Sequence, residues 1–331
     1  MTGQGAPYKL DAWTGEISPI AWYNQSGNQT TTQLDLEYNE SAIIAISKNE
    51  AEFGAAPKVH VTNTTADNAV VEGNDIVARS EAKGAVTAEL SNGSNISCEL
   101  NPMEEMTLKN WDIAVESWGP SADPNAPATQ SDKTTVNFAN TGLTSWKNLP
   151  ATAEQLATLG VESMSYVSGI GHYSTSFQID SLEEGQGAYL NFEHGNDEVT
   201  EIIVNGHDLG GINQSKNIVD IGQYLKEGEN TISIKLATPL NNRIQVENPV
   251  FQERYEQGYV QDYGLTAVSL VPYDEAVIYT ATENGGTNGG NGTSSEGNVQ
   301  TGDASTIGIL AALGAAGVTA YIIRRKWNHN S

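Results

Sequence analysis

Short runs in which apolar and polar residues alternate dominate the chain. They read "TTQLDLEY" (31–38), "SAIIAIS" (41–47), "GAYLNFEH" (187–194), "VTEIIVNG" (199–206), "NTISIKLA" (230–237) and "GLTAVSLVPY" (264–273). Alternation places one set of side chains on a buried face and the other in water, which predicts antiparallel strands. Asn-Gly pairs in "SNGSN" and "VNGHDLGG" predict tight hairpin turns, since both residues tolerate positive φ. Helical periodicity is confined to "TAEQLATLGVESM" (152–164), a short helical or loop segment. The expectation is an all-β chain of β-sandwich, jelly-roll type.

The pattern breaks twice near the C-terminus. Residues 285–297, "GGTNGGNGTSSEG", lack the apolar area needed to order a chain and predict a flexible linker. Ala304–Ile323 then carries no charge over 20 residues. A helix of that length spans about 30 Å, the thickness of a bilayer core. Arg324, Arg325 and Lys326 follow, and by the positive-inside rule they stay cytoplasmic while everything upstream lies outside. With Asn298, Val299, Gln300, Thr301 and Gly302 just ahead, the three parts resemble the cell-wall sorting signal of Gram-positive surface proteins. The first two positions depart from its usual Leu-Pro form. The resemblance implies that a sortase cuts between Thr301 and Gly302 and joins the chain to peptidoglycan. The alternative is a single-span membrane anchor that is never cut.

Composition narrows the partners. With 41 acidic and 16 basic side chains the formal charge is -25, which repels nucleic-acid phosphates. A single cysteine, Cys98, rules out an internal disulfide and cysteine-rich zinc sites. The histidines show no zinc spacing, no cofactor is implied, and calcium stays unassigned although "GNDEVTE" offers oxygen ligands. The N-terminus has no basic segment followed by an apolar one, hence no signal peptide. Beside an outward-facing anchor, this predicts a fragment of a longer exported protein. Its expected parts are the end of a β-sandwich (1–48), a small β domain (49–108), a large sandwich (109–275), a linker (276–297) and the anchoring tail (298–331).

"NDEVTEIIVNGHDLGG" and "NIVDIGQYLKEGENTISIKLAT" resemble the galactose-binding-like sandwich of large glycoside hydrolases. In that reading Asp220 caps the turn "IGQYL", Leu225 is buried and Gly228 ends the turn. Together with "WTGEISPIAWY", "NWDIAVESWGP", "YVSGIGHYSTSFQI" and "TPLNNRI", they resemble the C-terminal accessory region of glycoside hydrolase family 106, the α-L-rhamnosidase type. That resemblance implies a catalytic barrel upstream of this chain and no catalytic residue within it. Glu193, Asp197 and Glu198 near His194 form an acidic cluster, but a solvated turn explains it as well, and hydrolysis needs two carboxyls at a fixed separation.

Sugar sites stack an aromatic ring under an apolar sugar face, beside hydrogen-bonding side chains. Candidate carbohydrate contacts are Trp118, Trp146, His172, Tyr173, Asn241, Asn242 and Arg243. Against this stands a core or interface role for the aromatics and a loop-pinning role for "NNR". The expected function is the non-catalytic part of a cell-surface glycosidase. It supports the barrel, holds carbohydrate and is anchored in the wall of a Gram-positive bacterium. The competing class is a surface adhesin that binds host glycan or protein.

Overall fold

The computed structural model describes residues 1–281 except 35, 37–39, 49–52, 124, 128–129, 196, 211, 248–249 and 251–259. The chain divides into Met1–Glu283 and Asn284–Ser331, and every described residue belongs to the first. The sorting motif at Asn298–Gly302 and the span at Ala304–Ile323 therefore lie outside the described residues. Among those described, no helix is long and apolar enough to cross a membrane.

The structure is mostly β-sheet with few helices. The first segment holds β1 (Ala6–Leu10), β2 (Ile17–Pro19), β3 (Tyr23–Ser26), β4 (Gln29–Thr32) and β5 (Ile43–Ser47). These strands form a sheet of order β2-β1-β5 and a β3-β4 hairpin. The strand expected over 31–38 stops at Thr32. Leu34 and Leu36 are 43% and 46% exposed, so the alternation there has no buried face to serve.

The second segment holds β6 (Val61–Thr64), β7 (Asn68–Glu72), β8 (Asp75–Ser80), β9 (Gly84–Leu90) and β10 (Asn95–Leu100). Sheet β10-β9-β6 and hairpin β7-β8 enclose a small core of Val61, Ile76, Ala78, Val86, Leu90 and Leu100.

The third segment begins with β11 (Met106–Thr107), β12 (Trp111–Pro120) and β13 (Ser131–Thr141). Helix α1 (Ala153–Leu159) follows, opened by a Thr152/Gln155 capping box and closed by Gly160 in the left-handed region. Next come β14 (Gly169–Ile179), β15 (Gly187–Glu193), β16 (Val199–Val204), β17 (His207–Asp208), β18 (Ile218–Asp220) and β19 (Gly228–Ala237). Helix α2 (Asn241–Glu247) and β20 (Ala267–Thr280) complete it. One six-stranded sheet has the order β13-β12-β14-β19-β16-β17; the other runs β18-β15-β20-β8-β7, with β11 also on β20. Their inner faces share one core, with Trp111, Ile113, Tyr173, Ile202, Ile232 and Ile234 from the first sheet and Leu190, Phe192, Val268 and Leu270 from the second.

β20 changes the expected partition. Ala267–Tyr273 pairs with β15, and Asp274–Thr280 pairs with β8 of the small layer. Residues 276–280, expected as the start of the linker, are thus strand. Ile278 is buried in the small core, and that burial together with ladder pairing holds the chain extended past residue 275. Hairpin β7-β8 of the small segment is therefore part of one hydrogen-bonded sheet with strands of the sandwich.

The stretch 199–237 owes its local structure to two asparagines. Asn205 (φ 50°) and Gly206 (φ 82°) make the β16-β17 turn. Asn205 Nδ2 donates to the Tyr224 carbonyl and to Asn230 Oδ1, both at 2.8 Å, and Asn205 Oδ1 accepts from the Thr231 amide. Asn230, fully buried, accepts from the Lys226 amide and donates to the Lys226 and Gly228 carbonyls. The Asp220 carboxylate accepts from the Gly222 amide, and Leu225 is buried, as the motif requires.

Candidate functional site

Along β12 the burial alternates, with Trp111, Ile113, Val115 and Ser117 turned inward. Asp112, Ala114, Glu116 and Trp118 therefore lie on the outer face. The register extends this face across the sheet. Ala114 stands beside Asn137 of β13 and His172 of β14, His172 beside Lys235 of β19, and Lys235 beside Glu201 of β16. A second rung runs from Asp112 through Ser174 and Ser233 to Ile203. Ala114, Ala139, Ser174 and Ser233 are small, and a groove of about 460 Å³ opens above them.

The groove carries two carboxylates, Asp112 and Glu201, and one ammonium, Lys235. Lys235 Nζ lies 3.1 Å from Glu201 Oε2, and Asp112 Oδ1 accepts from the Asn140 amide at 2.9 Å. Rungs stand about 4.8 Å apart across strands and about 7 Å apart along them, so donors and acceptors form a lattice. Such a lattice meets a flat ligand with many hydroxyls at several points, with small side chains as its floor. Trp118 lies on the same face, four residues along β12 from Ala114. Its Nε1 donates to Glu116 Oε1 at 2.6 Å, and Lys133 Nζ sits 4.1 Å from the ring centroid.

Of the expected contact residues, the structure brings His172 into the groove and puts Trp118 on its sheet face. Tyr173 lies beneath the groove as a core residue, and the rest are turned elsewhere. Trp146 (1% exposed) and Tyr173 (2%) are core residues, and the indole donates to the Tyr173 hydroxyl at 2.6 Å. "NNR" begins α2 rather than a loop. Asn242 exchanges two hydrogen bonds with the backbone of Gln261, while Arg243 donates to the Leu159 carbonyl and pairs with Glu247 at 2.8 Å. Asn242 and Arg243 are buried and staple neighbouring segments together. Asp112, Asn137, Glu201, Ser233 and Lys235 escaped the sequence reading. Their signal is the polar phase of each strand, which becomes a site only once the strand order is known.

The acidic cluster near His194 divides between surface and core. Glu193 and Asp197 are exposed, whereas the Glu198 side chain has no accessible surface. Glu198 Oε1 accepts from the Gly264 amide at 2.7 Å, and Oε2 lies 3.4 Å from His194 Nδ1. Burial alone would lower the His194 pKa, but the bond to Glu198 and the Gly195 carbonyl outweigh it, and the net shift is upward. A group raised on folding lends stability below its unfolded value, near 6.5, and loses it as pH rises through the folded value. Thermal unfolding is therefore expected to show a melting temperature that falls as pH rises from 6 to 9, with that slope flattened in His194→Gln. An unchanged slope would contradict the pairing. Among the described residues, no group of three His, Cys, Asp or Glu is placed to hold a metal ion.

Residues 166–267 match the family model described as glycosyl hydrolase 2 galactose-binding domain-like. No curated protein matches the chain. Among solved structures, a rhamnosidase from Novosphingobium sp. PP1Y is similar at 20% identity and a TM-score of 0.48, covering 83% of this chain and 21% of that one. A β-glucuronidase from an uncultured Clostridium sp. is 15% identical with a TM-score of 0.30, covering 52% of this chain and 29% of that one. A glycosyl hydrolase family 2 member from Bacteroides cellulosilyticus DSM 14838 is 16% identical with a TM-score of 0.29, covering 53% of this chain and 21% of its own. The chain thus spans between a fifth and a third of the length of these neighbours. The segment 166–267, which carries eight of the groove residues, is similar to the galactose-binding-like domain of glycosyl hydrolase 2 proteins.

Proposed function

We propose that this chain is a non-catalytic, carbohydrate-holding part of a larger glycoside hydrolase displayed outside the cell. The observation that carries the reading is the galactose-binding-like match over 166–267, on a sheet whose outer face bears the groove. The groove holds the glycan by hydrogen bonds donated by His172 and Lys235 and accepted by Glu201, while the catalytic carboxylates belong to an upstream domain. The order of the sandwich motifs supports a rhamnosidase-like parent of family 106. A polar tether, the motif Asn298–Gly302, the apolar stretch Ala304–Ile323 and three cations support sortase-mediated attachment to peptidoglycan.

The test is a glycan array probed with the full chain, including rhamnose- and galactose-terminated glycans. Binding is expected, and His172→Ala and Lys235→Ala should each weaken it about tenfold, equivalent to about 1.4 kcal/mol. A flat array would remove the carbohydrate role. For attachment, mass spectrometry of wall digests should find a peptide ending at Thr301; one that continues into Gly302 would contradict cleavage.

A further inference from the structure

A second cavity, of about 340 Å³, lies where hairpin β7-β8 meets the sandwich strands β18 and β20. Its base is Arg79, which is 8% exposed. Glu72 Oε1 lies 3.1 Å from Nη2, Asp220 Oδ2 2.7 Å from Nη1, and Glu275 Oε2 2.7 Å from Nη2. The Tyr273 ring packs on the guanidinium with 4.0 Å to its centroid, and its hydroxyl donates to Asp220 Oδ1 at 2.9 Å.

One carboxylate neutralises one guanidinium. Three of them leave a formal charge of −2, more negative charge than bracing one guanidinium requires. A brace would also close over its own charges, whereas here a cavity remains, rimmed by Gln186 and Gln223. Asp220 is saturated by Arg79, Tyr273 and the Gly222 amide. Glu72 Oε2 and Glu275 Oε1 have no hydrogen-bond partner among the described residues. The cavity is therefore rich in acceptors and poor in donors.

We propose that this cavity is a second sugar site, separate from the groove, that takes a single residue through a hydroxyl- or ammonium-bearing edge and rejects sugars carrying a carboxylate. Hydroxyl donors to ionised carboxylates make charge-assisted bonds, about twice as strong as neutral ones. The volume falls within the range of small-molecule sites, about 300–1,000 Å³. Because Glu72 and Arg79 come from the small layer and Asp220 from the sandwich, the site exists only where the two layers are joined.

The experiment follows the Arg79 Nε–Hε signal by NMR in the full chain, assigned through Arg79→Lys, during titration with D-galactosamine, D-galactose and D-galacturonate. The signal should shift with affinity falling in that order, galacturonate giving no response, while the Ser233 amide reports any binding in the groove separately. Glu72→Gln should weaken galactosamine at least threefold, and the two remaining carboxylates keep Arg79 paired so that the fold survives. Silence of the Arg79 signal, any other affinity order, or indifference to Glu72→Gln overturns the proposal.

Discussion

Trp146→Ala is expected to destabilise the sandwich by about 3–5 kcal/mol, the usual cost of removing a large buried aromatic. Trp146 is 1% exposed and packs edge-on against Tyr263 at 6.2 Å between centroids. Gly264 touches the indole so closely that a Cβ there would collide with Trp146 Cδ1. The substitution would empty that space and also strip the Tyr173 hydroxyl of the indole donor. Tyr173 Oη keeps a second partner, the Leu265 amide at 3.2 Å, so the orphaning is partial and most of the cost is cavity. Trp146→Phe, which keeps a ring but not the N–H, should cost about 1–2 kcal/mol. Urea unfolding followed by far-UV circular dichroism measures both. A loss below about 1 kcal/mol in the alanine variant would mean that Trp146 is a surface platform and not core.

Arg79→Ala should cost about 3 kcal/mol, the lower end for breaking a buried ion pair, because Glu72 and Asp220 keep partial access to water. The consequence is more specific than a lowered midpoint. Arg79 sits on β8 and draws Glu72, Asp220 and Glu275 to one point, while β20 runs through both cores. Without the guanidinium three acids face one another across the junction, and burial already pushes the Glu275 carboxyl above the usual carboxylate range. The small layer should then unfold before the sandwich, seen as two transitions where the parent chain shows one. A single transition within about 0.5 kcal/mol of the parent would show that β20 pairing alone joins the layers.

What could be read in advance follows the range of the interactions. The β16-β17 turn, the Asp220 cap and β19 depend on residues within about 30 positions of each other, and the motif was visible as written. β13 left no signal, since only Val136 and Phe138 along Ser131–Thr141 are buried and the rest reads as polar loop. The end of β20 was read as linker because its partner, Asp75–Ser80, lies nearly 200 residues away. The first strand of the groove and its last, β12 and β19, meet only through β14, so no local pattern could assemble His172, Lys235 and Asp112. Asn242 and Arg243 look like ligand-binding loop residues in sequence. The start of α2 instead turns them inward onto Gln261 and Leu159.

Carbohydrate held on the outer face of the β12-β14-β19 sheet is the claim on which the functional reading stands. Backbone amide shifts of the isotope-labelled chain, recorded while a glycan identified on the array is added, test it most directly. Saturable shifts should concentrate at His172, Ser174, Ser233, Lys235 and Glu201, the lattice around the groove. Shifts confined to the opposite sheet, or to the turns at the ends of the sandwich, with these five residues unmoved, would contradict it.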